Sequence, residues 1–221
     1  MEAYLGISTD KLLTAGAETI YMVCISLFIG AIIAFPLAIL LYLTRKNGMY
    51  QNRFVNGLLN IIINVIRSTP FIIMLVCVMP LTKVLVGTRI GTKAALVPLT
   101  IYIAPYLARL MEGALFETKA GIIEAAEAMG ATPLQIVWHF ILPESLGSLI
   151  LTITTGTIGL IGATAMAGYI GGGGIGNIAL TYGYQQFNNR LMFFTVLILI
   201  IVVQLIQNLG TWASAKIRRA R

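Results

Sequence analysis

Residues Glu117 to Pro143 read ETKAGIIEAAEAMGATPLQIVWHFILP, and this stretch decides how the rest of the chain is divided. It is a long interruption in a sequence that otherwise has the composition of membrane. Glu117, Glu124, Glu127 and, one residue past its end, Glu144 are four of the eight acidic residues in the chain. Ile122, Ala125, Ala126 and Met129 follow the i, i+3, i+4, i+7 rule of a helix, with Glu124 and Glu127 on the other side. Gly130 ends that helix. Thr132 then offers a cap, Pro133 suits the first helical position, and Gln135 completes a capping box. Leu134, Val137, Trp138 and Ile141 form the next apolar stripe, which Pro143 is expected to stop. The reading is two short helices joined at Gly130, outside the bilayer.

Composition supports the division. The 221 residues are 58% hydrophobic and only 10% charged, with a mean hydropathy of +0.90. A soluble domain carries about 25% charged residues. The chain is therefore read as an all-α polytopic membrane protein, long enough for roughly five or six spans. Its net charge of +7 comes from lysines and arginines scattered at segment ends. No basic patch with interleaved aromatics occurs, so nucleic acid is not an expected partner and membrane lipid is. Cys24 and Cys77 sit inside apolar runs and read as small core residues, indicating neither a disulfide nor a metal site. The opening MEAYLGISTDKLL lacks a basic region before an apolar core, so a cleaved signal peptide is not expected.

Five spans follow, at about 19–44, 54–82, 94–116, 146–170 and 190–212, with the loop 117–145 between the third and fourth. The first is free of charge from Thr19 to Thr44, 26 residues, which as helix cover about 39 Å against a hydrocarbon core of about 30 Å. The second contains Arg67. Arg67-Ser68-Thr69-Pro70 either lies near the end of the span, since Pro70 disfavours helix at Thr69, or places a charge within the membrane, where it needs a partner or a wet cavity. The third continues helically through Arg109 and Glu112, three apart and able to pair. The 45 uncharged residues from Ser145 to Asn189 exceed one span and divide at the glycine run from Gly171 to Gly176. Residues 177–189 then read as a polar-aromatic loop or interfacial piece. With the N-terminus outside, ten of the fifteen basic residues fall inside and five outside, which the positive-inside rule prefers. The topology is N-out and C-in, with the hairpin in the cytoplasm and the whole chain one domain with its core at about 15–212.

Sites of chemistry are sparse. Gly171, Gly173 and Gly176 match G-x-G-x-x-G, but a membrane helix precedes them and no acidic residue follows Glu144, so they read as a turn, hinge or close-packing point. His139, the one histidine, has no partner set for catalysis, and no enzyme is indicated. The fourth span is rich in small and hydroxylated residues, suited to tight packing, to a pore lining with Met166 and Tyr169 as obstructions, or to both. An ATP-independent secondary transporter is the alternative of another class. It would need carboxylate ligands in the spans, and the spans are read as holding none.

Glu124-Ala125-Ala126, Gly130 four residues on, and the closing Phe140-Ile141-Leu142-Pro143 resemble the EAA loop of bacterial ABC importer permeases, with Phe140 where isoleucine is usual. Tyr106, Ala108-Arg109 and Glu112-Gly113-Ala114-Leu115 resemble that family's lead-in. Arg67-Ser68-Thr69-Pro70-Phe71-Ile72-Ile73 and Tyr169 to Asn177, followed by Tyr182 to Phe187, are similar to the methionine-uptake permeases. The resemblance implies a homodimer bound to two ATP-binding subunits and fed by an extracytoplasmic substrate-binding protein, translocating methionine in D and L forms. A permease for another small polar solute is the alternative within the class. Glu124, Ala125, Ala126, Gly130, Leu142 and Pro143 would couple to the ATPase. Arg67, Ser68, Met166 and Tyr169 are pathway candidates, and Gly171, Gly172, Gly173, Gly174 and Gly176 a hinge. No cofactor is expected on this chain, ATP and magnesium belonging to the ATPase, and no metal.

Overall fold

In hydrocarbon each backbone N–H and C=O must be satisfied within its own segment, so uncharged runs of this length fold as helices. The computed structural model describes residues 6–219; residues 1–5 and the tail residue Arg221 lie outside the described residues. Among the described residues there is no strand. Helix α1 spans Thr9–Thr44 and is capped by Ser8, whose hydroxyl accepts from the Lys11 N–H. Helix α2 spans Arg53–Ser68, capped by Asn52, which accepts from the Phe54 and Val55 N–H groups. Then come α3 (Phe71–Cys77), α4 (Met79–Val86) and α5 (Thr92–Leu115). The hairpin holds α6 (Ala120–Ala128) and α7 (Pro133–Ile136), and α8 (Leu142–Ala167) follows. A 3-10 turn at Gly168–Ile170 and the short α9 (Gly174–Ile178) lead to the last helix, α10 (Asn189–Arg219).

The central helix is α5. Leu99, Ile103 and Leu107 on one side, and Ala104, Ala108 and Leu115 on others, are buried, so neighbours surround it. Lipid tails are as apolar as leucine, so close packing rather than water exclusion holds such helices together. Gly30 of α1 shows how close: a Cβ there would stand 2.3 Å from the Ile103 side chain. At the other extreme only 11% of the most apolar stretch of α10 is buried within the chain.

Among the described residues four helical stretches are long and apolar enough to cross a membrane, Thr9–Thr44, Thr92–Leu115, Pro133–Ile170 and Asn189–Arg219, and a fifth span results if α2 and α3 are joined. Those two meet at a 103° bend, so 54–82 is not one straight helix. The break falls where Pro70 keeps Thr69 extended, at φ −79° and ψ 122°.

Several expectations are corrected. Pro143 does not stop a helix. A π-turn over Val137–Ile141 precedes it, with the Leu142 N–H bonded five residues back to the Val137 carbonyl. The widened turn accommodates a residue with no N–H to give, and the chain runs on into α8. Residues 177–189 are not simply a loop, because α9 continues as a π-turn over Ala179–Tyr184. Cys24 and Cys77 are exposed, since an apolar neighbourhood in a membrane protein need not be a core. Glu112 lies within α5 and is buried, so the third span does hold a carboxylate.

Candidate functional site

The hairpin presents one face of α6 outward. Gly121, Glu124, Ala125 and Ala128 are exposed, spaced by three to four residues, as are Ala120 and Glu127 beside them and Met129 beyond. Ala126 is 0% exposed, with Ile122 and Ile123 half-buried beside it. The apolar stripe inferred from sequence is thus split. Ala126 packs inward, whereas Ala125 and Met129, 70% exposed, face away from the bundle. Of the three residues Glu124, Ala125 and Ala126, Ala126 is thus the one turned away from the open face.

Gly130 turns the chain. Its φ is +77°, it donates its N–H to the Glu127 carbonyl, and the Ala131 N–H bonds back to the Ala126 carbonyl. These two bonds form a Schellman motif, which needs a residue in the left-handed region at this position. The next turn is capped as expected. Thr132 Oγ1 accepts from the Gln135 N–H, and Gln135 Oε1 accepts from the Thr132 N–H at 2.8 Å. Ile136, Val137 and Ile141 seal this arm against the bundle, leaving Leu134 and Trp138 exposed. Leu142 is buried and Pro143 half-buried at the start of α8, where both join the hairpin to that helix. His139 is exposed, its Nδ1 3.1 Å from the Gln135 carbonyl.

Two polar clusters fix the hairpin's roots. Arg109 bridges Glu112 at 2.7 Å and donates to Asn60 Oδ1 on α2. Asn60 in turn donates to Asn56, which reaches the Leu41 carbonyl and Thr44 of α1. Further on, Glu117 accepts from Ser148 of α8, and Arg218 of α10 donates to Ser148 at 2.8 Å and reaches Glu117 at 3.4 Å. These contacts join the roots of the hairpin to α2, α5, α8 and α10. Of these contacts the sequence suggested the pair Arg109–Glu112; Glu117 and Arg218 stand 101 residues apart and leave no periodic trace.

A cavity of about 540 Å³ brings Arg67 and Met166 together with Phe71, Tyr102, Gly159 and Gly162. The Arg67 guanidinium lies 6.0 Å from the centre of the Tyr106 ring, which stacks on Tyr102. Ser68 and Tyr169 are exposed but do not line this space. Tyr102 was missed by sequence reading, although it stands one turn before Tyr106. Next to this lining α8 packs on α5, where Gly156 abuts Leu107, and on its other side it meets α10, where Thr154 abuts Gly210. One helix therefore both packs and lines.

The glycine run is tied down rather than loose. The Glu18 carboxylate accepts from the Gly174 N–H at 2.7 Å, and Thr19 Oγ1 accepts from the Ile175 N–H at 2.9 Å. Gly171, Gly173 and Gly174 all have positive φ, and Gly172 and Gly176 are buried. The Gly172 N–H bonds to the Ala167 carbonyl at 3.0 Å, closing the end of α8.

The chain thus combines a bundle of apolar helices, a cavity lined by Arg67 and Met166, and a rooted hairpin with small exposed residues on α6. The chain belongs to the family of binding-protein-dependent transport system inner membrane components, whose model matches residues 34–219. It is accordingly a multi-pass membrane permease of an ABC importer, a transport component rather than an enzyme. It is 43% identical over 216 residues to the probable D-methionine transport system permease protein MetI of Vibrio cholerae, covering 98% of this chain and 95% of that one. It is 43% identical over 204 residues to the methionine import system permease protein MetP of Bacillus subtilis, covering 92% of each. Among solved structures, a chain of the inward-facing MetNI methionine ABC transporter superposes with a TM-score of 0.92 at 42% identity, covering 96% of this chain and 99% of that chain.

Proposed function

We propose that this chain is the permease subunit of an ATP-driven methionine importer. It works as a homodimer with two cytoplasmic ATP-binding subunits and receives solute from an extracytoplasmic substrate-binding protein. The observation that carries the coupling role is the outward face of α6. Glu124 beside Ala125, Ala128 and Gly121 offers a carboxylate in a strip with almost no side-chain bulk, which suits insertion into a groove carrying a basic residue. The functions named for the relatives support methionine as the solute. In this reading the chain lies N-out and C-in as one type-1 transmembrane domain, and ATP and magnesium act on the partner subunit.

Mechanically, closure of the ATPase pair would displace α6. Its roots at Glu112 and Glu117 would carry that displacement to α5, α8 and α10. The chain then favours one pore state over another through differential contacts, with no chemistry of its own. The cavity at Arg67 suits a zwitterionic amino acid with a thioether. The guanidinium faces the carboxylate, and the rings of Phe71 and Tyr102 with the Met166 side chain receive the sulfur. The glycine run from Gly171 to Gly176 serves as the hinge of the outer gate, latched by Glu18 and Thr19.

The deciding experiment copurifies the tagged chain with its ATPase and measures methionine uptake in vesicles. Methionine uptake that depends on ATP and is lost in Glu124→Lys supports the reading. ATP-dependent uptake that methionine fails to drive, while another amino acid succeeds, rejects the solute but keeps the machine.

A further inference from the structure

At the end of the bundle remote from the hairpin, α4 carries Lys83, the turn after it Arg89, and the first turn of α5 Lys93. Among the described residues none of the three side chains has a hydrogen-bond or ion-pair partner. Of the three, Lys93 borders an apolar trough.

The trough has a volume of about 520 Å³ and runs between α1 and α4 over the surface of α5. Its mouth carries Lys93 and Tyr21, and its walls include Leu85, Val97, Ile101 and Ile29. The contact of Gly30 with Ile103 shows that α1 and α5 run side by side, which brings Tyr21 level with Ala94. From Lys93 to Ile101 the trough therefore descends about 12 Å along the helix axis. One of its walls is weakly held. Thr82 is the buried residue of α4, whereas Val84 and Leu85 are exposed.

We propose that this trough is a binding site for one anionic phospholipid. Its phosphate sits on Lys93, with Lys83 and Arg89 adding to the field, and an acyl chain lies along Val97 and Ile101. The acyl chain supplies the packing that α4 lacks against α1. A cation at the mouth of an apolar channel that descends into the membrane matches the two chemistries of a phospholipid in their own order. An acidic protein docked on the same loop would meet the cations and leave the trough unfilled. The inference does not depend on which solute crosses.

The test uses the permease–ATPase complex purified from membranes and exchanged into mixed phosphatidylglycerol and phosphatidylcholine, with retained lipid counted by native mass spectrometry. Phosphatidylglycerol should be retained in preference. Lys93→Gln should lower that retention about fivefold, the effect of one cation near a lipid phosphate, and Lys93→Arg should preserve it. Val97→Trp, which fills the trough, should reduce retention of both lipids, and Ile200→Trp on the exposed face of α10 should leave it unchanged. Lys93 is exposed and without partners, so its substitution leaves the fold intact and decides the matter even if the tryptophan variant fails to fold. Equal retention of the two lipids by the wild type would overturn the proposal. So would wild-type retention by Lys93→Gln, including the case in which that variant only weakens association with an acidic protein.

Discussion

Gly130 offers a test in which the backbone argument is separated from every steric one. Its φ is +77°, yet a Cβ built there meets nothing within 4 Å. A substitution therefore meets no clash, and its cost is that of holding an L-residue in the left-handed region, about 1–2 kcal/mol. If the hairpin must keep this turn to engage the ATPase, Gly130→Ala should weaken association by about 5- to 30-fold. Asparagine visits the left-handed region more readily than alanine, so Gly130→Asn should recover part of the loss. Gly130→Val, β-branched, should be worse than alanine. Gly130→Pro both fixes φ near about −65° and removes the N–H given to Glu127, and should abolish association. The assay is affinity of purified permease variants for the ATPase subunit, with yield of membrane-inserted protein as control. Equal affinity of the glycine and alanine variants, or asparagine ranking below valine, would refute the reasoning.

Glu124→Lys should abolish ATPase copurification while leaving membrane insertion unchanged; retained copurification would remove Glu124 from the docking face. Gly176→Val should lower the melting temperature of the purified complex, because a Cβ there would stand 2.2 Å from the Ala165 Cα; Gly57→Ala, with no atom within 4 Å, is the matched control. Glu18→Ala strips the carboxylate from the Gly174 N–H and should cost about 1 kcal/mol, seen as faster amide exchange around Gly174, whereas Glu18→Gln retains an acceptor and should be milder. Arg218→Ala should uncouple rather than unfold, lowering methionine uptake per ATP hydrolysed, because it frees Glu117 and Ser148 from α10.

What the sequence made legible was local. Uncharged runs pointed to the long apolar helices but not to their ends, since α1 begins at Thr9 and α10 runs to Arg219; the Thr132–Gln135 box and the Gly130 turn are short-range motifs, and Pro70 announced the break after Thr69. The faces of α6 were less legible. Small apolar residues on both sides of a helix carry the same periodicity whether they pack inward, as Ala126 does, or outward, as Ala125 does. Pro143 misled because a proline ends a regular α-helix but is tolerated after a π-turn, whose extra residue leaves no mark in composition. The cavity was half legible: Arg67 and Met166 drew notice as a charge and an obstruction, whereas Tyr102 looked like any aromatic in a span. The Glu18–Gly174 latch joins residues 156 apart, and only the folded chain brings them together.

The central claim is that Ala125 faces the ATPase while Ala126 faces the permease core. In a background with Cys24 and Cys77 replaced by serine, Ala125→Cys and Ala126→Cys are compared for maleimide labelling with and without the ATPase subunit. The account predicts fast labelling at position 125 in the free permease, protection when the ATPase binds, and little labelling at 126 in either state. Labelling at 125 that the ATPase leaves unchanged, or ATPase-dependent protection confined to 126, would contradict it.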